Sequence, residues 1–215
     1  MPKVTAAYLE EKRTYILDCT AEILKEKPLY HITMKDIIKR AGFSQGLIYQ
    51  YYPNIDEIYV DYINRQMIDY PLEQKTDDLI ASGRSGKEIL TGCMLVLGEY
   101  IESLLDSVGG KTCFDLLITY SHDEDKRNEV LPKLKFKQSL QYAQDRIVEF
   151  TLSNVESGGF IPGIPVESII VFAGVCIDGI VQSVATAGTT AEGKPAIDVT
   201  DLFRTLARAM VGFIE

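Results

Sequence analysis

The sequence predicts an all-α protein, and three observations carry that expectation. Apolar residues recur at spacings of three and four from one end to the other, no stretch of useful length alternates apolar with polar as a half-buried strand would, and glycines, prolines and capping residues punctuate the chain at helix-length intervals. With 215 residues, 46% of them apolar, the chain can bury a sizeable core. About nine helices result: a three-helix N-terminal head over residues 1–53 and a larger helical body over residues 54–215.

The first helix runs from about Ala6 to Glu26, with Ile16, Thr20, Ile23 and Leu24 on one face and Arg13, Asp18, Glu22 and Lys25 on another, and Pro28 stops it. Two short helices follow between Thr33 and Tyr51. Asn54-x-x-Glu57 caps the fourth, which Pro71 bends or ends. Ser85-x-x-Glu88 opens another, through Leu90, Met94, Leu97 and Ile101 to about Ser107, and Gly109-Gly110 separates it from a segment running from Thr112 to Ser121. A long amphipathic helix spans roughly Asp125 to Val155, with Pro132 accommodated near its start, and Gly158-Gly159 ends it. Val166 to Ala187 and Asp198 to Ile214 are the last two, joined by a Gly/Thr/Pro loop.

Charge narrows the function classes. A formal net charge of −9 disfavours nucleic acid, whose phosphates ask for cations, but the excess is confined. Residues 1–66 hold nine basic and nine acidic side chains, so the remaining thirteen basic against twenty-two acidic groups lie beyond them. Between Lys25 and Tyr52, five cations (Lys25, Lys27, Lys35, Lys39, Arg40) face Glu26 and Asp36, a mild local excess. Four cysteines at 19, 93, 113 and 176 show none of the short spacings of zinc or redox motifs and read as small buried apolar groups in a reducing compartment, with redox sensing the alternative. The N-terminus has no apolar run followed by a cleavage site, so a cytoplasmic location is expected. Residues 164–188 are the most apolar stretch; Glu167 and Asp178 interrupt it, which suits a buried helix or subunit interface better than a membrane span.

The informative stretch is TMKDIIKRAGFSQGLIYQYYPNIDE, Thr33 to Glu57. Thr33 is placed to cap a short helix with Asp36 at its third position, and Met34, Ile37, Ile38 and Ala41 form a buried stripe while Lys35, Lys39 and Arg40 stay outside. Gly42 ends that helix in the left-handed conformation, Phe43 supplies an apolar contact, and Ser44 caps the next helix at once. So short a turn makes the two helices cross steeply, the geometry of a helix-turn-helix whose second member enters a major groove. In that second helix Gly46 permits close backbone approach, Leu47 suits a thymine methyl, Gln45 or Gln50 an adenine edge, and the hydroxyls of Tyr49 and Tyr51 suit phosphate oxygens, while Ile48 and Tyr52 point inward.

AGFSQGLIYQYYPNIDEI resembles the DNA-binding head of the TetR family of one-component bacterial regulators: Ala-Gly, an apolar residue, Ser, two variable residues, two apolar or small ones, then Tyr-x-Tyr ahead of a capped fourth helix. The resemblance covers residues 12 to 62 and implies DNA contacts at Thr33, Lys35, Gln45, Gly46, Tyr49, Gln50 and Tyr51, joined by Ser44 and Leu47 from the reading of the turn. Three departures are Ile55 where a phosphate-reaching lysine is frequent, Ile38 where alanine is usual, and Cys19-Thr20 in place of an alanine pair.

The resemblance also implies a body that senses a ligand and dimerises, hence a repressor binding a palindromic operator as a homodimer and released by a small, largely apolar effector. Ile169, Ala173, Ile177, Ile180 and Val184, with Leu202, Leu206, Met210 and Phe213, stand at helical spacings that suit a four-helix interface between two copies, although an intrachain core shows the same pattern. Tyr100, Phe114, Leu117, Tyr120, Tyr142 and Phe172 are the expected pocket lining. No catalytic residue, metal or cofactor is expected. A metal-dependent helical enzyme is the first rival, but His31 and His122 are the only histidines and no Glu-x-x-His pair is present; His122-Asp123-Glu124-Asp125 reads as a solvated interhelical loop. A helical ligand-binding or adaptor protein is the second, and it predicts no salt-dependent binding to any duplex.

Overall fold

The computed structural model describes residues 5–67, 69–105, 107–187 and 196–214; the expected Gly/Thr/Pro loop near residue 190 lies outside them. Thr5 starts helix α1 (Ala6–Glu26) by accepting the Tyr8 amide, and Lys27 and Pro28 end it in extended backbone. A 3-10 turn, Leu29–His31, leads into α2 (Met34–Ala41), α3 (Gln45–Tyr51) and α4 (Ile55–Gln66), whose N-cap Asn54 accepts the Glu57 amide. Then come α5 (Leu72–Ile80), α6 (Gly86–Leu105), α7 (Val108–Tyr120), α8 (Glu124–Glu129), a 3-10 turn at Leu131–Lys133, α9 (Lys135–Glu156), α10 (Val166–Ala187) and α11 (Val199–Gly212). Among the described residues there are eleven α-helices and no strand; Pro162 and Ile214 form an isolated bridge.

The two helices beyond the expected nine have physical reasons. α5 has only three apolar residues in nine, Leu72, Leu79 and Ile80, too few to set a period; it is assembled by packing between α6 and α9. The long helix expected from Asp125 breaks around Pro132, which lacks an amide: α8 gives way to a 3-10 turn, and Leu134 stands in extended backbone before α9 begins. Asn64 on α4 satisfies the break from both sides, donating to the Lys133 carbonyl at 3.0 Å and accepting the Lys135 amide at 2.8 Å. Gly109 and Gly110 do not separate helices either. They lie in the first turn of α7, where Ser107 accepts the Gly110 amide at 2.8 Å, and Gly109 passes so close to α4 that a Cβ there would sit 2.5 Å from the Gln66 carbonyl oxygen.

One continuous apolar core runs from Ile16 to Ile214. α1 packs against α2 and α4, α4 against α7, and the most extensive pairing is α6 with α11, where Gly98 gives Phe203 room. α4 therefore belongs to the packing of both the N-terminal helices and the body.

Candidate nucleic-acid interface

The turn between α2 and α3 is built by local chemistry. Thr33 accepts the Asp36 amide while the Asp36 carboxylate accepts from the Thr33 backbone amide at 2.8 Å and from its hydroxyl at 2.7 Å, a closed capping box. Gly42 sits at φ 67°, in the left-handed region, with its amide bonded to the Ile38 carbonyl at 3.1 Å. Ser44 then caps α3 through the Leu47 amide. Ile48 is fully buried and Tyr52 nearly so, with the Tyr52 hydroxyl donating to Asp61 of α4 at 2.5 Å. With that face anchored, the helical period leaves Gln45, Gly46, Tyr49 and Gln50 exposed as one row, flanked by half-buried Leu47 and Tyr51.

Thr33 and Lys35 are exposed beside that row at the start of α2, and Ser44 is exposed at the start of α3. The hydroxyls of Thr33 and Ser44 are engaged as caps, so a contact from either position to a ligand adds to a local hydrogen bond. The charge is less free than the sequence suggests. Lys27 pairs with Asp36 at 2.8 Å, and Arg40 bridges Glu22 and Glu26 at 3.1 and 2.6 Å, fastening α2 to α1. Lys25, Lys35 and Lys39 make no ion pair among the described residues.

The six residues expected to line a pocket are not brought together. Tyr100 stacks on Phe136 at 5.9 Å and Phe114 meets the same ring edge-on, so both fill the core. Phe172 lies on the outer side of α10 against Phe213. Tyr120 is buried and donates its hydroxyl to Asp56. Of the six, only Leu117 and Tyr142 border a cleft of about 750 Å³ with Leu131, Pro132 and Val181 as apolar walls and Arg127, Lys137, Asp145, Asp178, Gln138 and Gln182 among its polar ones.

The residues expected at a subunit interface mostly face this chain's own interior. Ile169, Ala173, Ile177, Val184, Leu206 and Met210 are buried, Ile180 and Phe213 are half-buried, and Leu202 alone of the set is exposed. Helical spacing marked the apolar stripe that packs inward; the free stripe is the opposite one, with Val171 at 64% and Val175 at 67% exposure and Phe172 beside them. α10 is the one described helix long and apolar enough to cross a membrane, with a mean hydropathy of 1.9, and 28% of that window is buried. Cys93 and Cys113 are buried thiols that desolvation pushes up to about 11 and about 12, which leaves them protonated and unreactive.

Sequence reasoning missed Asp56. It looks like an ordinary first-turn acid of α4, favourable to the dipole, yet it is 7% exposed and holds groups from two other helices. Nothing within five residues of it signals this.

Residues 16–62 match the family model of bacterial regulatory proteins, tetR family. An uncharacterized HTH-type transcriptional regulator of Bacillus subtilis, YfiR, is 26% identical over 188 residues, covering 85% of this chain and 84% of its own. Among solved structures, NalD, the secondary repressor of the MexAB-OprM multidrug efflux pump in Pseudomonas aeruginosa, superposes with a TM-score of 0.61 at 20% identity over 95% of this chain and 98% of its own. The TetR-family transcriptional repressor FadR of Thermus thermophilus, in complex with lauroyl-CoA, gives 0.56 at 19% identity over 93% of each chain. At these identities the structural likeness is one of fold.

Proposed function

We propose, from the premise that this chain is a transcriptional regulator of the TetR family, that it is a ligand-responsive repressor which binds a palindromic operator as a homodimer and lets go when a small amphipathic effector occupies the body. The observation that carries the reading is the exposed row Gln45, Gly46, Tyr49 and Gln50 on a short helix held rigidly by Ile48, Tyr52 and the Gly42 turn. Such a row offers amide groups to base edges and a hydroxyl to a phosphate, and its exposure leaves these groups free for a groove. We place the boundary of the DNA-reading module after Pro53, with α4 as the connector, and its site of action in the cytoplasm.

The outer face of α10, around Val171, Phe172 and Val175, is assigned to a second copy of this chain, because one reading helix spans too few base pairs to be selective. The cleft is assigned to the effector: its volume falls within the range of small-molecule sites, and its walls combine apolar surface with two cations, the two carboxylates of Asp145 and Asp178, and several amides. An apolar body with a polar end suits such walls. FadR's lauroyl-CoA is a molecule of that kind, which makes acyl thioesters the first class to screen.

Selecting bound duplexes from a random pool at controlled salt tests the reading. An enriched inverted repeat, lost as salt rises, is expected; a pool that enriches no duplex even at low salt points instead to a helical adaptor and ends the proposal.

A further inference from the structure

One carboxylate is shared between the DNA-reading side of the molecule and the body. Asp56, the second residue of α4, accepts the hydroxyl of Tyr120, the last residue of α7, at 2.5 Å and the ammonium of Lys126 in α8. Burial, with the Asp56 anion beside it, pushes the Tyr120 phenol far above its ordinary value, so it persists as a donor. The opposite end of α4 is pinned by shape, where Gly109 meets the Gln66 carbonyl. α4 thus lies along α7 with a steric contact at its C-terminal end and a charged, hydrogen-bonded one at its N-terminal end.

Both neighbourhoods of Asp56 lead somewhere. One turn further along α4, the Tyr59 hydroxyl donates to the Leu29 carbonyl at 2.9 Å, in the 3-10 turn that feeds the Thr33 cap of α2; α7 touches that same turn. On the other side, Leu117 and Ser121 flank Tyr120 in sequence and border the cleft, as does Arg127 beside Lys126. Arg127 donates to the Ser121 carbonyl at 3.0 Å, tying α8 to the end of α7. Residues 117–127 therefore form one wall of the cleft and also hold Asp56.

We infer that Asp56 is the positioning residue through which the cleft wall sets the pose of α4, and with it α2 and α3, relative to the body. Tyr120 and Lys126 clasp the carboxylate, and an occupant that displaces residues 117–127 withdraws those two donors from a group that is too buried to be left alone. Released at Asp56, α4 keeps at that end the more exposed Glu57–Lys133 ion pair and further along the Asn64 bonds and the Gly109 contact, and it swings about its C-terminal end. The inference rests on the regulator reading for its purpose, but its structural half needs no DNA.

The test uses the full chain with Cys176→Ser and spin labels at Lys39→Cys on α2 and Glu149→Cys on α9, mixed with an excess of unlabelled chain so that distances within one copy are read. The parent is expected to give a single narrow distance distribution, and Asp56→Asn and Lys126→Met are each expected to shift or broaden it, while Glu99→Gln, which breaks an ion pair between α5 and α6, leaves it unchanged. Affinity for a duplex recovered by selection is expected to fall about 5- to 150-fold in both variants and not in Glu99→Gln. Unchanged distances in both variants, with or without a loss of thermal stability, overturn the inference. Should Asp56→Asn fail to fold, Lys126→Met decides, since that side chain is about one-third exposed. A selection that yields no duplex sinks the regulator reading and leaves the distances to judge the positioning role.

Discussion

Tyr49 and Gln45 lie one turn apart on the open side of α3, and their chemistry divides the work between them. A phenol hydroxyl reaching a phosphate carries no sequence information, so Tyr49→Phe is expected to weaken binding to every duplex by about 1 kcal/mol. An amide that pairs with a base edge does carry it, and Gln45→Ala is expected to cost about 1–3 kcal/mol on the selected operator and little on unrelated DNA. Titrating both variants against both duplexes at one salt concentration checks the division; unchanged binding in both removes these residues from the interface. Asp36 makes a different prediction. The Lys27 ammonium, then the Thr33 hydroxyl and backbone amide, lower its carboxyl to about 2. A folded-state value below the unfolded one contributes stability that is complete above the ordinary aspartate range and disappears as pH falls through the folded value. Urea denaturation of wild type against Asp36→Asn should show a difference at neutral pH that shrinks between about pH 4 and pH 2; a difference that does not depend on pH contradicts the assignment.

At the scale of the element, the α2–α3 unit depends on one backbone conformation. Gly42 stands at φ 67° with no atom near enough to meet an added Cβ, so replacing it tests conformation alone and not packing. Gly42→Ala is expected to cost about 1–2 kcal/mol through the left-handed penalty, and to lower duplex affinity further by opening the crossing angle. Thermal unfolding followed by circular dichroism gives the first quantity and DNA titration the second; a variant as stable as wild type means the turn has another support. The unit reads clearly in the sequence because its supports are within five residues of one another: Thr33 with Asp36, Gly42 with Ile38, Ser44 with Leu47. α5 and the break at Pro132 were less legible, the first because its residues carry too few apolar groups and the second because Asn64, which seals it, is about seventy positions away.

The whole molecule turns on which surfaces are left uncovered. Val171 and Val175 are among the most exposed large apolar side chains of the chain, while the stripe behind them packs on α7 and α11. Val175→Asp should therefore leave the fold intact and convert the protein to a monomer in sedimentation, with operator affinity lost along with the second reading helix. A dimer that survives the substitution moves the interface elsewhere. The acidic excess of the body acts at this scale too, repelling DNA except where α3 leads the approach; because salt screens that repulsion, it partly offsets the loss of binding that phosphate contacts suffer as salt rises.

Helix type, the caps, the glycine-ended turn and the identity of the row that α3 exposes were determined by the sequence alone, since each rests on bonds between near neighbours and on the 3.6-residue period. Which apolar stripe of α10 turns inward, where the cleft opens and what holds Asp56 were decided by tertiary structure. Periodicity marks a helix's apolar face without naming what covers it, and the partners of Asp56 lie 64 and 70 residues away, brought to it only when α4 docks along α7.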